Sequence, residues 1–364
     1  MKNKNNLSVF LIAFFLTFSI PYIGGKSKIQ LVIDNEVNQF SGVEGNVDNF
    51  PIWDDGPEIS SGYWTLSPFT IDDDGYGDYT WAQAVNEDWC SGSGTLNDPY
   101  IIEKLLIDGQ TSINCITISN SSAYFKIIDS TLFNASAAVY LKNVSNGIIE
   151  YNNLSNNLAV GIEIDSSLNI KVLNNVISKN THIGIFLYNS NETVVYNNKV
   201  THNFGGIISY FSNTLNISGN YVVNNSYYGI NTRDANQIYI FNNLVVGNIR
   251  SEVFEYTIGI FVNFCNNSTV INNQVLSNFQ GIYSRGEYNY IASNLIKNNN
   301  YTGLVVQQSY YSIYFNNTIV ENERGISADF GTNIIYMNYL DNLIENAYDY
   351  TSEQNLWFYN NIGN

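Results

Sequence analysis

The 364-residue chain contains little cysteine, histidine or positive charge. It has three Cys, two His and 15 Lys plus Arg against 32 Asp plus Glu, a formal net charge of −17. A surface of this sign repels phosphate backbones and anionic headgroups, which argues against a nucleic acid or a membrane surface as partner. Three cysteines cannot form a disulfide framework. Cys90 and Cys115 are near enough in sequence to meet, and Cys265 is expected to be a free, half-buried thiol.

Long apolar runs are also scarce, and the only one of note lies at the N-terminus. Leu7–Ile20 follows Lys2 and Lys4 and ends at Pro21. It is short for a membrane span of about 20 residues, so residues 1–25 are predicted to be a cleaved secretory signal. An uncleaved anchor is the alternative. The mature chain is therefore expected to be secreted or on the cell surface, or periplasmic in a Gram-negative cell, with no stable membrane insertion.

Asparagine is far more abundant than usual, whereas charged residues are scarce. Charged residues are 13 % of the chain, and 59 residues are Asn. One Asn recurs every 21 to 23 residues, with a single interval of 30, and two other residues extend the series backwards. The series runs Gly109, Thr131, Asn153, Asn175, Asn198, Asn220, Asn243, Asn273, Asn294, Asn317, Asn338 and Asn361. A second Asn column moves in step with it: Asn157, Asn180, Asn203, Asn225, Asn248, Asn278, Asn299 and Asn322. A regular repeat of this length predicts a solenoid.

Short alternating segments between the columns decide which solenoid it is. A Gly followed by an aliphatic residue starts each one, as in Gly161–Asp165, and no window after Glu103 has helical periodicity. A leucine-rich repeat would need Leu at fixed positions and a helical stretch. The pattern therefore predicts an all-β, single-stranded right-handed parallel β-helix of about 11 coils, one for each interval, with three short strands per coil. Stacked Asn amides at the turns would form hydrogen-bonded ladders.

The entry to the repeat resembles a known family. Ser91–Glu103, read Ser-Gly-Ser-Gly-Thr-Leu-Asn-Asp-Pro-Tyr-Ile-Ile-Glu, continues to Ile107-Asp108-Gly109 and looks like the start of β-helix domains of the pectate-lyase-like superfamily. More narrowly it resembles the periplasmic NosD-type family, which is associated with copper binding and with carbohydrate binding or hydrolysis. The resemblance covers roughly residues 91–361. It implies the fold, whereas the superfamily includes lyases, hydrolases, epimerases, adhesins and scaffolds.

Residues 26–90 lack the repeat and form an acidic segment rich in Trp and Tyr. A solenoid must cover its first coil, so we interpret this segment as an N-terminal cap, with a short amphipathic helix over Tyr79–Val85. Residues 91–364 are assigned to the β-helix. The last coil shows no cap in the sequence. We expect a monomer unless this coil is covered in trans.

An acidic loop within the cap segment is the one candidate for a bound cation. Asp72, Asp74 and Asp78 are closely spaced around Gly75, as oxygen ligands of Ca²⁺ require. The twelfth position after Asp72 is Gln83 rather than Glu, unlike an EF-hand. The alternative is a solvated acidic turn. No cofactor other than calcium is suggested.

An outward strip on the strand after each Gly is the main candidate for binding. Four residues past successive Gly positions the side chains are Asp165, Tyr188, Tyr210, Arg233, Asn263, Arg285, Gln307 and Asp329. Aromatic rings and planar polar groups of this kind suit a polysaccharide. The predicted ligand-binding residues are Phe186, Tyr188, Tyr210, Arg233, Asn263, Tyr283 and Arg285. The alternative is that Tyr and Phe are simply good strand formers.

Catalysis on this strip would need charged side chains on adjacent coils. The nearest group is Arg233, Asp234, Arg285 and Glu287, expected on neighbouring coils beside the long interval. Lyases of the superfamily require an Arg or Lys base beside acidic calcium ligands, and glycosidases require paired carboxylates. The long interval adds residues within Gly247–Tyr256, where an insertion would border a binding groove or form a tolerated loop.

Histidine gives little support to copper binding. His182 and His202 occupy different positions of adjacent repeats, and copper sites favour clustered imidazole and sulfur ligands.

The leading hypothesis is an exported, non-catalytic β-helix that binds a polysaccharide or a surface protein. The alternatives are a polysaccharide lyase, epimerase or hydrolase, and a NosD-type accessory protein.

Overall fold

The computed structural model describes residues 63–111, 113–249, 257–350, 355–358 and 364. The predicted signal, most of the acidic segment and the insertion at 250–256 lie outside the described residues. The described chain forms a solenoid whose coils carry short parallel strands on three faces, although the coil that begins at Asn153 has only isolated bridges on its first face. The two-residue strand β3 (Cys90–Ser91) precedes the third face and pairs antiparallel with the strand that follows it. We name the three faces A, B and C in the order in which the chain visits them. The predicted all-β parallel solenoid is confirmed.

The strands of each face stack coil upon coil. Face A contains β1 (Trp64–Leu66), β5 (Leu105–Asp108), β8 (Thr131–Phe133), β13 (Val176–Ser178), β16 (Lys199–Thr201), β19 (Tyr221–Val223), β22 (Leu244–Val246), β25 (Gln274–Leu276), β28 (Leu295–Lys297), β30 (Thr318–Val320) and β32 (Tyr339–Asp341). Face B contains β2 (Phe69–Asp72), β6 (Ile116–Ser121), β9 (Ala137–Val144), β11 (Val160–Asp165), β14 (Ile183–Tyr188), β17 (Gly205–Tyr210), β20 (Tyr228–Arg233), β23 (Ile258–Asn263) and β26 (Gln280–Glu287). Face C contains β4 (Tyr100–Glu103), β7 (Phe125–Ile128), β10 (Gly147–Glu150), β12 (Lys171–Leu173), β15 (Val194–Tyr196), β18 (Leu215–Ser218), β21 (Ile238–Phe241), β24 (Thr269–Ile271) and β27 (Tyr290–Ala292).

The last coils are built differently on two of the faces. β29 (Thr302–Phe315) and β31 (Arg324–Tyr336) each run continuously over faces B and C. β33 (Glu345–Asp349) then pairs with the face B part of β31. Register is kept in the middle coils, so Ile162, Ile185 and Ile207 stack directly and are fully buried, and it shifts at Ser284–Gly286 and at Tyr310–Ile313 in the late coils. Stacking apolar on apolar gives one core along the axis.

Two inward ladders of asparagine amides hold the coils together. At the corner between faces C and A the ladder is Asn152, Asn175, Asn198, Asn220, Asn243, Asn273, Asn294, Asn317, Asn338 and Asn364. At the corner between faces A and B it is Asn157, Asn180, Asn203, Asn225, Asn248, Asn278, Asn299, Asn322 and Asn342. In each ladder the Oδ1 of one Asn accepts from the backbone and amide nitrogens of the Asn in the preceding coil. The predicted ladders are thus confirmed.

The prediction from the sequence was wrong about the first residue of the first Asn column. The ladder begins with Asn152, not Asn153, and the preceding coil contributes Ser130, whose N–H donates to Asn152 Oδ1 over 3.0 Å. Asn153 instead lies in the face A position beside Thr131 and Val176. Two adjacent Asn residues cannot be distinguished by spacing alone. At the other end Asn364 completes the ladder, and Asn361 lies outside the described residues.

The outward-facing residue just before each ladder Asn at the C–A corner is half-buried or exposed and has a left-handed backbone. Asn174, Asn197 and Asn242 have φ of 54°, and Gly219 at the equivalent position has φ of 63°. Asn tolerates this conformation better than other residues with a side chain. The Asn-Asn pairs of the sequence therefore contain one residue that turns the corner and one whose amide joins the ladder.

Aromatic residues of the described part of the predicted cap pack against the first coils. The helix α1 (Trp81–Ala84) places the Trp81 ring against Tyr100 at a centroid distance of 4.6 Å, and its indole N–H donates to Ser121 over 2.9 Å. Trp89 packs on Phe69 in the same cluster. Parallel stacking begins before residue 91, because Trp64–Leu66 already pairs with β5 and Phe69–Asp72 with β6. The cap and the first coil are therefore one packed unit.

The three cysteines are free and buried. Cys90 and Cys115 do not form a disulfide bond, and burial raises the pKa of their thiols to about 11 and about 12. The expected half-burial of Cys265 was wrong, because its side chain points inward at the corner between faces B and C and is fully buried. Burial raises its thiol pKa to about 11.

In the described part of the chain, no helix has the length and apolar character needed to cross a bilayer.

Candidate binding face

Face B places the predicted strip residues in two outward columns. The first column pairs Asp165 with Tyr188, Tyr188 with Tyr210, Tyr210 with Arg233, and Arg233 with Asn263. The second pairs in the same way, in the order Tyr140, Glu163, Phe186, Ile208, Asn231, Phe261, Tyr283, Val305 and Ser327. Adjacent coils are about 4.8 Å apart in such stacking. The side chains thus form parallel rows along the axis.

Exposure differs along these rows. Tyr188 and Arg233 are exposed, and Phe186 and Tyr210 are half-buried. Phe261, Asn263 and Tyr283 are buried although they point away from the core. Phe261 and Tyr283 form a small apolar cluster with Ile258, and their rings are 4.9 Å apart. The face therefore has an open half near Tyr188 and a closely packed half near Tyr283.

Arg285 is the centre of the packed half. Its guanidinium lies 5.0 Å from the centroid of the Tyr283 ring and 5.6 Å from that of Phe264. Its Nη2 donates to the Tyr283 hydroxyl over 2.9 Å and also to Gln307 Oε1. Gln307 in turn donates to Asp329 over 3.2 Å. Cation–π contacts and hydrogen bonds hold the Arg285 plane in one orientation.

Several polar atoms of this region have no hydrogen-bond partner. They are Asn231 Oδ1, Asn263 Oδ1 and Arg285 Nε, all buried on or beside the outer rows of face B. An unmade hydrogen bond at a buried atom costs about 1–3 kcal/mol. All three atoms are enclosed by protein atoms, so they do not themselves offer contacts to a ligand on the outer surface.

The four predicted catalytic residues are not brought together. Arg233 Nε forms an ion pair with Asp234 Oδ2 at 3.0 Å. Arg285 and Glu287 lie two coils further on, because the strand β23 intervenes. The expectation of neighbouring coils was therefore wrong, since the insertion lengthens one coil without removing it. No carboxylate adjoins the Arg285 guanidinium within the hydrogen bonds described.

A pair of carboxylates at the other end of face B was not singled out from the sequence. Glu163 and Asp165 lie two residues apart on the outer side of β11, beside Tyr140 and Lys142. Burial and the nearby Asp165 charge raise the pKa of Glu163. The shift follows from half-burial on an open sheet, and the outward columns contained the signal that could have identified the pair.

A cavity of about 380 Å³ lies in the preceding coils, lined by small polar side chains such as Thr70, Thr117 and Ser136.

The acidic loop uses its carboxylates to close the cap. Asp72 is buried, and it accepts from the Asp74 N–H over 2.8 Å and from the Ser119 hydroxyl over 2.9 Å. Burial would raise the pKa of Asp72, but these hydrogen bonds and one from Asn120 bring it below its usual value. Asp78 Oδ2 accepts from the Thr70 N–H over 2.8 Å. Among the described residues no group of three or more His, Cys, Asp or Glu side chains could hold a metal ion.

Two exposed rings beside face B were missed in the sequence because they lie at a corner rather than on a strand. Phe211 packs against Tyr188 with centroids 5.8 Å apart, and Phe264 lies beneath the Arg285 guanidinium. Both are about half exposed. They occupy the position held by Asn189 one coil before Phe211, so an alignment of corner positions would have found them.

Family comparisons agree with this architecture. Residues 114–257 match the family described as right-handed beta helix region, and residues 249–364 match the family described as periplasmic copper-binding protein (NosD). The chain has the fold of a right-handed parallel β-helix. None of the curated proteins compared with this β-helix protein matches it.

Solved structures similar to the β-helix protein have low sequence identity to it. DFA-IIIase from Arthrobacter chlorophenolicus A6 in complex with GF2 has 12 % sequence identity and a TM-score of 0.51, over 67 % of this chain and 77 % of that one. PfbA, a surface adhesin of Streptococcus pneumoniae, has 11 % identity and a TM-score of 0.48, over 70 % and 83 %. The periplasmic alginate epimerase AlgG, as a double mutant, has 13 % identity and a TM-score of 0.43, over 78 % and 84 %. Identities this low transfer no activity.

The copper implied by the second family does not fit this chain. Residues 249–364 contain no histidine, one buried cysteine at 265 and one methionine at 337. His182 and His202 lie in earlier coils, where His182 is in line with Phe204 and His202 with Lys179. Copper requires several nitrogen or sulfur donors close together. The matched region lacks such a set.

Proposed function

We propose that the chain is an exported β-helix that binds carbohydrate on the outer surface of face B without cleaving it. The observation that carries this proposal is the in-register row of Tyr188, Tyr210, Arg233 and Asn263, in which two aromatic side chains are followed along the axis by two planar polar ones. Rings present flat apolar faces to sugar rings, and amides and guanidinium groups bond hydroxyls. A rigid scaffold holds both at a fixed spacing.

Binding is better supported than catalysis for a geometric reason. Arg233 is neutralised by Asp234, and Arg285 is hydrogen-bonded to Tyr283 and Gln307. A base for proton abstraction must be free to reach the substrate, and a glycosidase needs two carboxylates flanking one bond. Glu163 and Asp165 adjoin each other on a single strand, so both approach a ligand from one side. This arrangement suits recognition.

Affinity gel electrophoresis tests the proposal. The full-length chain is run through native gels containing hydroxyethylcellulose, galactomannan, glycol chitin, alginate or polygalacturonate, and its retardation is compared with that in a gel without polymer. We expect retardation in at least one polymer and a loss of at least tenfold in affinity for the triple variant Tyr188→Ala, Tyr210→Ala, Arg285→Ala. The matched control is Tyr196→Ala with Tyr239→Ala, which removes two exposed rings from face C.

Two results would contradict the proposal. Retardation in none of the polymers, or equal retardation of the face B and face C variants, removes the binding role of face B. Release of new reducing ends or unsaturated products from any polymer would make the protein an enzyme.

A second candidate follows from the family match over residues 249–364. In that case the chain would be an accessory protein of the NosD type, serving a membrane transporter or a metalloenzyme. Titration with Cu⁺ and Cu²⁺ under chelator competition tests the copper part of this role. Stoichiometric binding retained in His182→Ala and His202→Ala variants would favour the accessory role over the glycan role.

A further inference from the structure

We infer that the corner between faces B and C carries a row of ring-stacking positions for an uncharged, extended glycan that lies along the solenoid axis. The inference rests on the proposed function and identifies its ligand class and contact residues. The positions are Phe211, Phe264, Tyr288, Tyr311 and Phe330.

A comparison of the three corners singles out this one. Six aromatic residues of the described chain have a positive φ, and five of them are at the B–C corner. The C–A corner has one, Tyr151, and the A–B corner has none. The corner has two left-handed columns. In the column just after face B, Phe211, Phe264 and Phe330 follow coils that have Asn120, Asn143, Ser166 and Asn189; in the column just before face C, Tyr288 and Tyr311 follow coils that have Asn169, Gln237 and Asn267. Aromatic residues thus replace smaller polar residues in both columns, and at one corner.

The replacement works against folding. A bulky side chain at φ of 52° to 57° is strained, because its Cβ approaches the following carbonyl oxygen. The five rings are also 45 % to 56 % exposed, so burial does not offset this strain. Local strain without compensating burial is characteristic of functional positions.

Position and surroundings indicate a sugar chain. Phe211 and Phe264 are two coils apart, about 10 Å along the axis, which approximates the disaccharide repeat of an extended glycan. Tyr288 and Tyr311 stack on adjacent coils with centroids 5.3 Å apart. Between the rings the corner exposes the amides of Asn236, Gln237 and Asn267, which can donate to and accept from hydroxyl groups.

The charge of the corner indicates that the glycan is uncharged. Arg233 is paired with Asp234, and Arg285 is accompanied by Glu287 on its own strand and by Asp329 through Gln307. The corner therefore has no net positive charge, and the whole chain carries −17. A polyuronate would be repelled over long range, whereas a neutral hexose polymer is not.

Substitution by asparagine separates binding from folding. The variant Phe211→Asn, Phe264→Asn, Phe330→Asn installs the residue that the earlier coils use at this corner. We expect it to melt at a temperature equal to or above that of the wild type and to lose at least tenfold in affinity for hydroxyethylcellulose, galactomannan or glycol chitin in the native gels. The matched control is Tyr151→Asn, which removes an exposed ring of the same backbone conformation from the C–A corner.

Each outcome bears on the inference. A clear fall in melting temperature would make the rings structural and overturn it. Full retention by the corner variant, with loss in the Tyr188, Tyr210 and Arg285 variant, would overturn it and leave the proposed function standing. Retardation by alginate or polygalacturonate alone would overturn the uncharged ligand. Retardation by none of the polymers would overturn both proposals.

Discussion

The corners of the solenoid differ in how strictly they repeat. At the C–A and A–B corners one residue type, Asn, points inward in coil after coil. At the B–C corner the inward residue changes from Ser190 and Ser212 to Ala235 and Cys265. Later coils use Asn289, Ser312 and Asn333, which bond one another at the position just before face C. The first two corners repeat both the turn and the inward, hydrogen-bonded Asn, whereas the third corner repeats only the turn.

The difference shows where the fold tolerates change. An amide ladder satisfies two backbone groups per coil and fails if one member is replaced, so its sequence is fixed by hydrogen bonding. A corner whose inward residue is Ser, Ala or Cys depends mainly on packing. Its outer side can then vary, and five of the six aromatic residues at positive φ in the described chain occur there. The proposed ring-stacking positions therefore lie at the corner that has no Asn ladder.

Breaking a ladder should have the largest effect. Asn220 Oδ1 accepts from the backbone N–H of Asn198 over 2.9 Å, and its amide donates to Val195 O over 2.9 Å. Asn220→Ala leaves these two backbone groups buried and unpaired. At about 1–3 kcal/mol for each, we expect a loss of about 2–6 kcal/mol in the free energy of unfolding, measured by urea titration.

The matched control is Asn242→Gly. Asn242 precedes a ladder residue, is exposed, and has the same left-handed backbone as Gly219 in the preceding coil. Removing its side chain should change the free energy of unfolding by less than about 0.5 kcal/mol, as for surface positions generally. Equal losses in the two variants would mean that the ladder contributes nothing beyond local backbone preference.

Placing a phenylalanine at the B–C corner of the preceding coil tests whether an aromatic residue is strained at this turn. Asn189 is exposed, has φ of 49°, and stands where Phe211 stands in the next coil. Asn189→Phe should destabilise the protein by about 1–2 kcal/mol, because an ordinary side chain is disfavoured in this conformation. Thermal or urea unfolding measures the change. An unchanged or raised stability would show that phenylalanine is accommodated there without strain, and the contrast between the corners would lose its energetic basis.

The sequence was sufficient to predict what repeats. Spacing gave the coil length, the three strands, both Asn ladders and the outward row from Tyr188 to Asp329, because each is fixed by residues that recur at one interval. It could not place Asn152 ahead of Asn153, since either fits a period of about 22. It also could not show that Phe261, Asn263 and Tyr283 are buried, or that Phe211 and Phe264 have positive φ. Burial of an outward side chain depends on its neighbours, and φ depends on the corner geometry.

The early half of face B is acidic, whereas positive and negative charges balance in its late half. The stability of the protein should therefore depend on pH through the early half. Burial and Asp165 raise the pKa of Glu163 above its ordinary value of 4.5, so the folded protein favours the protonated form. The stability penalty is therefore absent below pH 4.5 and develops as the pH rises through the folded pKa. We expect Glu163→Gln to melt higher than the wild type at pH 7 and equally at pH 4. A difference independent of pH would assign the effect to packing.

The smallest effect is expected at Cys265, the thiol on the inner side of the B–C corner. Its Sγ donates to Thr232 O over 3.4 Å, much as the hydroxyl of Ser190 in the same column donates to Ile164 O over 3.1 Å. Cys265→Ser should therefore change the free energy of unfolding by less than about 1 kcal/mol, because the corner already accepts serine in other coils. In the native wild type, burial and a thiol pKa of about 11 leave almost no accessible thiolate at pH 8. Ellman's reagent should then react with Cys265 only after unfolding in guanidinium, and rapid native reaction that disappears in Cys265→Ser would mean that this corner opens, unlike the two held by asparagine ladders.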